Sequence, residues 1–206
     1  MDVLYHCLLE DPENSNGANM GFILPELWKD SGVSLVYCLP SSNYQGIAEG
    51  NHLHDLVSVD SVDRLSKMIE VEMVDYQFYN EVSSRVNCKP NTGIVALMHL
   101  LGCQPKLMKV FGFSFLLDGW YGEYRSGYEE FSHTINKPKT YEQHAKDCLE
   151  SKRHNQETQW KLCKEYLYQN PNVDLDPILY KILSMNTFDK KHYDLMMERY
   201  YDEKNN

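Results

Sequence analysis

The chain has 206 residues, enough for one domain with a proper core, and its 42% apolar and 24% charged content is that of a globular protein folding without staples. Its formal charge of −10 excludes a nucleic-acid backbone as natural partner: phosphate neutralisation needs clustered cations, and Lys137, Lys139, Lys152 and Arg153 are interleaved with acids. The cysteines at 7, 38, 88, 103, 148 and 163 form no Cys-x-x-Cys pair and read as reduced thiols; with no signal peptide, no Asn-x-Ser/Thr sequon and no apolar run of about 18 residues for a membrane span, the expected compartment is the cytoplasm.

Residues 3–9, Val-Leu-Tyr-His-Cys-Leu-Leu, predict a buried strand, with His6 as a core histidine. The segment 10–19 is rich in Asp, Asn, Ser and Gly and predicts a loop. A loop directly after a parallel strand lies at the edge where open α/β sheets bind ligands, which makes Asp11, Glu13 and Asn14 candidates for substrate contact. Residues 23–31 predict a short amphipathic helix with Pro25 in its first turn and Gly32 as its stop. Residues 33–39 predict a second strand, stopped by Pro40 and followed by a polar loop over 41–46. His52, His54 and Asp55 form a His-x-His-Asp cluster without an identifiable third distant ligand, and they read as a loop feeding a strand over 56–59. Val62, Leu65, Met68 and Ile69 repeat at helical spacing over 61–71, and a further helix over 74–86 carries Tyr76, Tyr79, Val82 and Val86. The β-loop-α-β rhythm is that of a doubly wound sheet.

The stretch 90–122 has the order loop, helix, strand, loop. Asn91 and Thr92 suit an N-cap, because a short side-chain oxygen accepts from the orphan amides of a first turn, and Gly93 permits close backbone approach. Ile94, Leu97, Met98 and Leu101 keep helical spacing up to Gly102, and residues 107–113 predict a buried strand. Such a helix start can hold a phosphate without a nearby lysine, and it serves equally as ordinary scaffold. If the strands are parallel, the polar loops after the strands at Val3 and Val33 share its sheet edge. Residues 120–131 are dense in Tyr, Gly, Trp and acid; they fit a sugar or nucleobase site, or a loop packed by its own aromatics. Thr140-Tyr-Glu-Gln143 is a capping-box pattern opening a helix to Ser151. His154 stands at a helix start, on a solvent-facing corner, ahead of a stripe of Trp160, Cys163 and Leu167. Residues 172–183 predict a short extended piece and a helix with Pro177 in its first turn, and 190–206 a charged C-terminal helix and tail.

Pro90-Asn91-Thr92-Gly93 with its Ala-Leu helix, followed by Val110-Phe111-Gly112-Phe113, resembles the second conserved motif of the eukaryotic-type sialyltransferases: Pro-x-Thr-Gly, an apolar helix and a Val-Tyr-Gly-Phe strand. Bacterial and viral proteins carry similar segments. His154 with Glu157 resembles the family's last motif, a histidine before a helix and close to a glutamate, although the family's spacing is usually longer than the three residues here. Tyr128 and His133 stand nearest to the motif between the two. The likeness spans roughly residues 86–170, and the first half agrees in αβ rhythm alone.

The resemblance implies one sialyltransferase-like α/β domain over residues 1–206, with a Rossmann-like, doubly wound, mostly parallel sheet of the GT-A-variant kind. That family's sheet opens with a strand and a glycine-rich loop that do not precede Val3, which implies a shortened version, a fragment, or a donor held by what remains. The implied reaction is inverting transfer of a sugar, sialic acid from its cytidine monophosphate (CMP) donor, to a glycan hydroxyl. His154 would be the general base. Asn91, Thr92 and Gly93, with Tyr128 and His133, would stabilise the leaving phosphate, and Gly112, Phe113 and Ser114 would complete the nucleotide site. Asp11, Asn14, Trp120 and Tyr121 would meet the acceptor. The partners are then a nucleotide-sugar donor and a glycan, with no metal and no other cofactor. Two alternatives remain open: a transferase using a different nucleotide sugar, and a non-catalytic module that binds a nucleotide or glycan.

Overall fold

The computed structural model describes residues 2–6, 25–39, 59–117 and 154–205. Its elements in chain order are β1 (Asp2–His6), α1 (Pro25–Asp30), β2 (Val33–Cys38), α2 (Val59–Ser66), β3 (Glu70–Met73), α3 (Tyr76–Val86), α4 (Thr92–Gly102), β4 (Met108–Val110), α5 (Gln156–Leu167), β5 (Val173–Leu175), α6 (Pro177–Ser184) and α7 (Lys190–Asn205). The chain divides into two compact units. The first takes the described residues up to 83 together with 91–96, and the second takes 84–90, 97–117 and 154–205.

In the first unit β1, β2 and β3 form a parallel sheet in that order, with Leu4 opposite Val36 and Val36 opposite Val71. The central strand is Val-Ser-Leu-Val-Tyr-Cys, and its Leu35, Val36 and Cys38 are buried. Parallel neighbours require a crossover, and α1 and α2 lie in the two connections. Leu65 and Ile69 join Val36 and Cys38 in the core, with Leu4, Trp28, Val33, Val62, Met68 and Val71 packed against them. Gly32 ends α1 at φ +88°, donating to the Lys29 carbonyl at 3.0 Å; a Cβ there would stand 3.2 Å from Asp2 Oδ2.

Two expectations change in this unit. The helical spacing through Ile69 does not mean a helix to residue 71: α2 ends at Ser66, and the Leu65 carbonyl accepts from Met68 at 2.9 Å and Ile69 at 3.0 Å. That closing turn returns Ile69 to the side of Leu65, so the apolar period outlasts the helix. The chain then enters β3, whose Glu-Val-Glu-Met sequence is a strand through its pairing with β2. Val59, expected at the end of a strand, is the first residue of α2.

In the second unit β4 and β5 pair in parallel, Met108 opposite Val173 and Val110 opposite Leu175. Among the described residues β4 pairs with β5 and with no strand of the first sheet, so the sheet edge expected to be common to the early strands and β4 is not formed by these strands. Hydrophobic spacing says that a segment is extended; it does not say which strand it pairs with. Lys109 and Asp174 make a 3.8 Å ion pair across the ladder, but both side chains are more than half exposed and the pair contributes little. The core lies between α5 and α6, where Trp160, Cys163, Leu167, Leu179, Ile182 and Leu183 are all buried. Trp160 Nε1 donates to the Ile182 carbonyl at 2.9 Å, which satisfies the indole where it leaves water. Phe188 meets Trp160 at 5.8 Å and Phe115 at 6.5 Å between ring centroids. Tyr193 and Met197, four residues apart on α7, are buried. The architecture is α/β with short parallel strands.

Candidate functional site

The polar helix start is formed as the sequence predicts. Asn91 immediately precedes α4, and its backbone carbonyl accepts from Ile94 at 2.9 Å and Val95 at 3.2 Å. Burial of Ile94 and Val95 anchors this first turn. Thr92 is exposed and Gly93 half-buried, in the part of a helix whose amides have no intrahelical acceptor. These three residues belong to the first unit.

Gly112, Phe113 and Ser114 follow β4 in the second unit. Gly112 adopts φ +76°, a conformation natural to glycine, and its amide donates to Asp176 Oδ2 at 3.1 Å. The same carboxylate caps α6: Oδ1 accepts from Ile178 at 2.8 Å and Leu179 at 2.9 Å. The Asp176 amide donates to the Val110 carbonyl at 3.0 Å. One carboxylate thus receives three backbone amides at the carboxyl edge of β4 and β5, and the Gly112 amide is spent on it. Ser114 is buried, and its carbonyl accepts from Leu117 at 3.0 Å. Between them Phe115 and Leu116 both lie in the left-handed region, at φ 53° and 62°. Such values are costly for side chains of this size, and burial of Phe115 and Leu117 holds them.

His154 stands two residues before α5, half-buried rather than on an open corner. Its Nδ1 lies 2.9 Å from the Lys89 carbonyl. A carbonyl only accepts, so Nδ1 carries the proton, and in the neutral ring Nε2 is the basic nitrogen. The helix start behind it is tightly bonded. Asn155 Oδ1 accepts from the Thr158 amide at 3.2 Å, Gln156 Nε2 donates to the His154 carbonyl at 2.9 Å, and the fully buried Gln159 donates to the Asn155 carbonyl at 3.2 Å. Cys88 joins the same corner, 3.9 Å from the Asn155 carbonyl and 3.8 Å from Thr158 Oγ1. Burial pushes its thiol above the ordinary value, against the opposing effect of these two hydrogen bonds. Arg85 completes the attachment, bonding the Tyr166 hydroxyl with its guanidinium carbon 5.4 Å from the ring centroid.

Within the second unit, then, the residues ahead of Pro90 are fastened to the start of α5 and the loop after β4 is fastened to the start of α6. Glu157 pairs with Lys161 at 2.7 Å on an exposed face. Asp11, Asn14, Trp120, Tyr121, Tyr128 and His133 lie outside the described residues, as do the His52, His54 and Asp55 cluster and the helix expected over 140–151. Sequence reasoning missed Asp176, although Asp before Pro177 is a cap signal; its bond to Gly112, 64 residues away, leaves no trace in spacing. It also missed Lys89 and Cys88 as partners of the His154 corner. Among the described residues no group of three or more His, Cys, Asp or Glu side chains could hold a metal ion, and no helix is long and apolar enough to cross a membrane. Among the described residues no disulfide joins any of Cys38, Cys88, Cys103 and Cys163. Comparison of the chain with protein-family models, with curated proteins and with solved structures found no match in any of the three.

Proposed function

We propose that the chain is an inverting glycosyltransferase of the sialyltransferase type, with a Rossmann-like fold and His154 as general base. The observation that carries this reading is the 2.9 Å bond from His154 Nδ1 to the Lys89 carbonyl, which assigns the basic lone pair to Nε2. In the proposed step the acceptor hydroxyl gives its proton to Nε2 while its oxygen attacks the anomeric carbon. The bond from that carbon to the donor phosphate breaks, and its electron pair leaves on the phosphate oxygen of CMP. The developing negative charge needs hydrogen-bond donors at short range. As written, the step requires no metal. The β-α-β-α-β order of the first unit supports the Rossmann-like part of the reading. Sialic acid as the transferred sugar rests on the motif resemblance alone.

A second reading is a nucleotide- or glycan-binding module without chemistry. One experiment separates them. The protein is incubated with labelled CMP-sialic acid and a galactose-ended acceptor, and free CMP is measured for wild type and for His154→Ala. Transfer predicts release that falls by about 10²–10⁴-fold in the variant, the usual contribution of a positioned acid or base. Equal release by both proteins removes His154 from the mechanism, and binding of CMP by calorimetry without any release favours the module.

A further inference from the structure

We propose that Asp176 is a positioning residue for the nucleotide-binding loop after β4, holding Gly112, Phe113 and Ser114 in register through one carboxylate shared between that loop and the start of α6. The proposal rests on the donor-site reading above and names a residue that the motif resemblance does not include.

Glycine has the widest conformational freedom of any residue, and among the described residues a Cβ built on Gly112 would meet nothing within 4 Å. The Asp176 Oδ2 contact at 3.1 Å is what fixes its amide. Asp176 is itself held on both sides: its amide bonds Val110 at 3.0 Å, its carbonyl accepts from Tyr180 at 2.9 Å, and Oδ1 takes the Ile178 and Leu179 amides. The carboxylate is therefore a fixed point in the β5–α6 connection to which the loop is tied. A loop held in its binding conformation loses less entropy when a ligand arrives, so a residue that never touches the nucleotide can still set its affinity.

Three amide donors on two oxygens make the function separable from the cap. In Asp176→Asn one acceptor oxygen remains. Two amides of α6 compete for it against one from Gly112, so the helix keeps its cap and the loop is released. Asp176→Ser caps the helix with a side chain too short to serve Gly112 as well.

The test measures CMP affinity by calorimetry, thermal stability, and hydrogen exchange of the Gly112 amide by nuclear magnetic resonance, for wild type and both variants. The expected result is a melting temperature close to wild type, faster exchange at Gly112, and CMP affinity lowered on the order of tenfold. A merely structural role would leave CMP affinity unchanged once the fold is retained. Undiminished CMP affinity in variants whose Gly112 amide has been freed overturns the role of Asp176 while leaving the donor site standing. Absence of CMP binding by folded wild type overturns the donor-site reading and this role together.

Discussion

Cys163 offers a test of the α5–α6 packing that is independent of any activity. Its side chain is 0% exposed, and burial pushes the thiol from 9.0 to about 12. The thiol is neutral when protonated, so the raised value means that the folded state keeps its proton at a pH where the unfolded chain has released it. Below pH 9 both states hold the proton and stability is unaffected; between 9 and about 12 the unfolded state binds fewer protons, and stability falls as pH rises. Each pH unit within that window costs at most about 1.4 kcal/mol, so the loss from this one group is about 1 kcal/mol by pH 10 and about 3 kcal/mol by pH 11. Urea unfolding followed by circular dichroism at pH 8, 9, 10 and 11 measures it, with Cys163→Ala as reference. The small cavity left in the variant lowers its stability by about 1 kcal/mol at every pH. Tyrosine and lysine titrations are common to both proteins and cancel in the difference. Wild type should therefore begin about 1 kcal/mol more stable than the variant, match it near pH 10 and be about 2 kcal/mol less stable than it at pH 11. A difference that stays constant from pH 8 to 11 refutes the burial of this thiol.

Two further outcomes follow from the same packing. Trp160→Phe removes one of the two donors to the buried Ile182 carbonyl, which keeps the Met185 amide at 3.3 Å, and should cost about 1 kcal/mol in urea unfolding, whereas Lys161→Ala, which breaks the exposed pair with Glu157, should stay within about 0.5 kcal/mol of wild type. Among the thiols described, iodoacetamide followed by peptide mapping should find exposed Cys103 modified first, half-buried Cys88 later, and Cys38 and Cys163 only on unfolding; modification of Cys163 at the rate of Cys103 would contradict the fold.

The elements best read from sequence are those whose signals are local and agree with one another. For α4, Asn91 at the start, an apolar stripe and Gly102 at the end mark bounds that the structure reproduces within a residue. For α6, Pro177 marks the first turn, and for α5 the stripe of Trp160, Cys163 and Leu167 is buried as its spacing implies. Reading failed where two periods overlap. Leu65 and Ile69 keep helical spacing across a turn in which the helix has already stopped, and β3 was hidden behind it. The candidate site was partly readable in the same sense: the helix start at Asn91 and the position of His154 before a helix are local properties. Their bonding partners are not. Lys89 lies 65 residues from His154, and Asp176 lies 64 residues from Gly112.

The run 107–113 holds a strand of three residues, Met108–Val110, and its Leu107 and Phe111 are exposed rather than buried. By itself, then, the sequence determined where α4 and α6 begin, the buried stripe of α5, and that a glycine-bearing helix start and a pre-helix histidine are present. Those properties depend on neighbours a few residues away, through dihedral preference, capping and periodic burial. Tertiary structure alone decided that β4 pairs with β5, that the Lys89 carbonyl selects the His154 tautomer, and that the Asp176 carboxylate takes the Gly112 amide. Each of these depends on polar groups, far apart in the chain, meeting in space. A single amide or carbonyl looks the same in every residue, so no pattern of side chains announces which distant group will satisfy it.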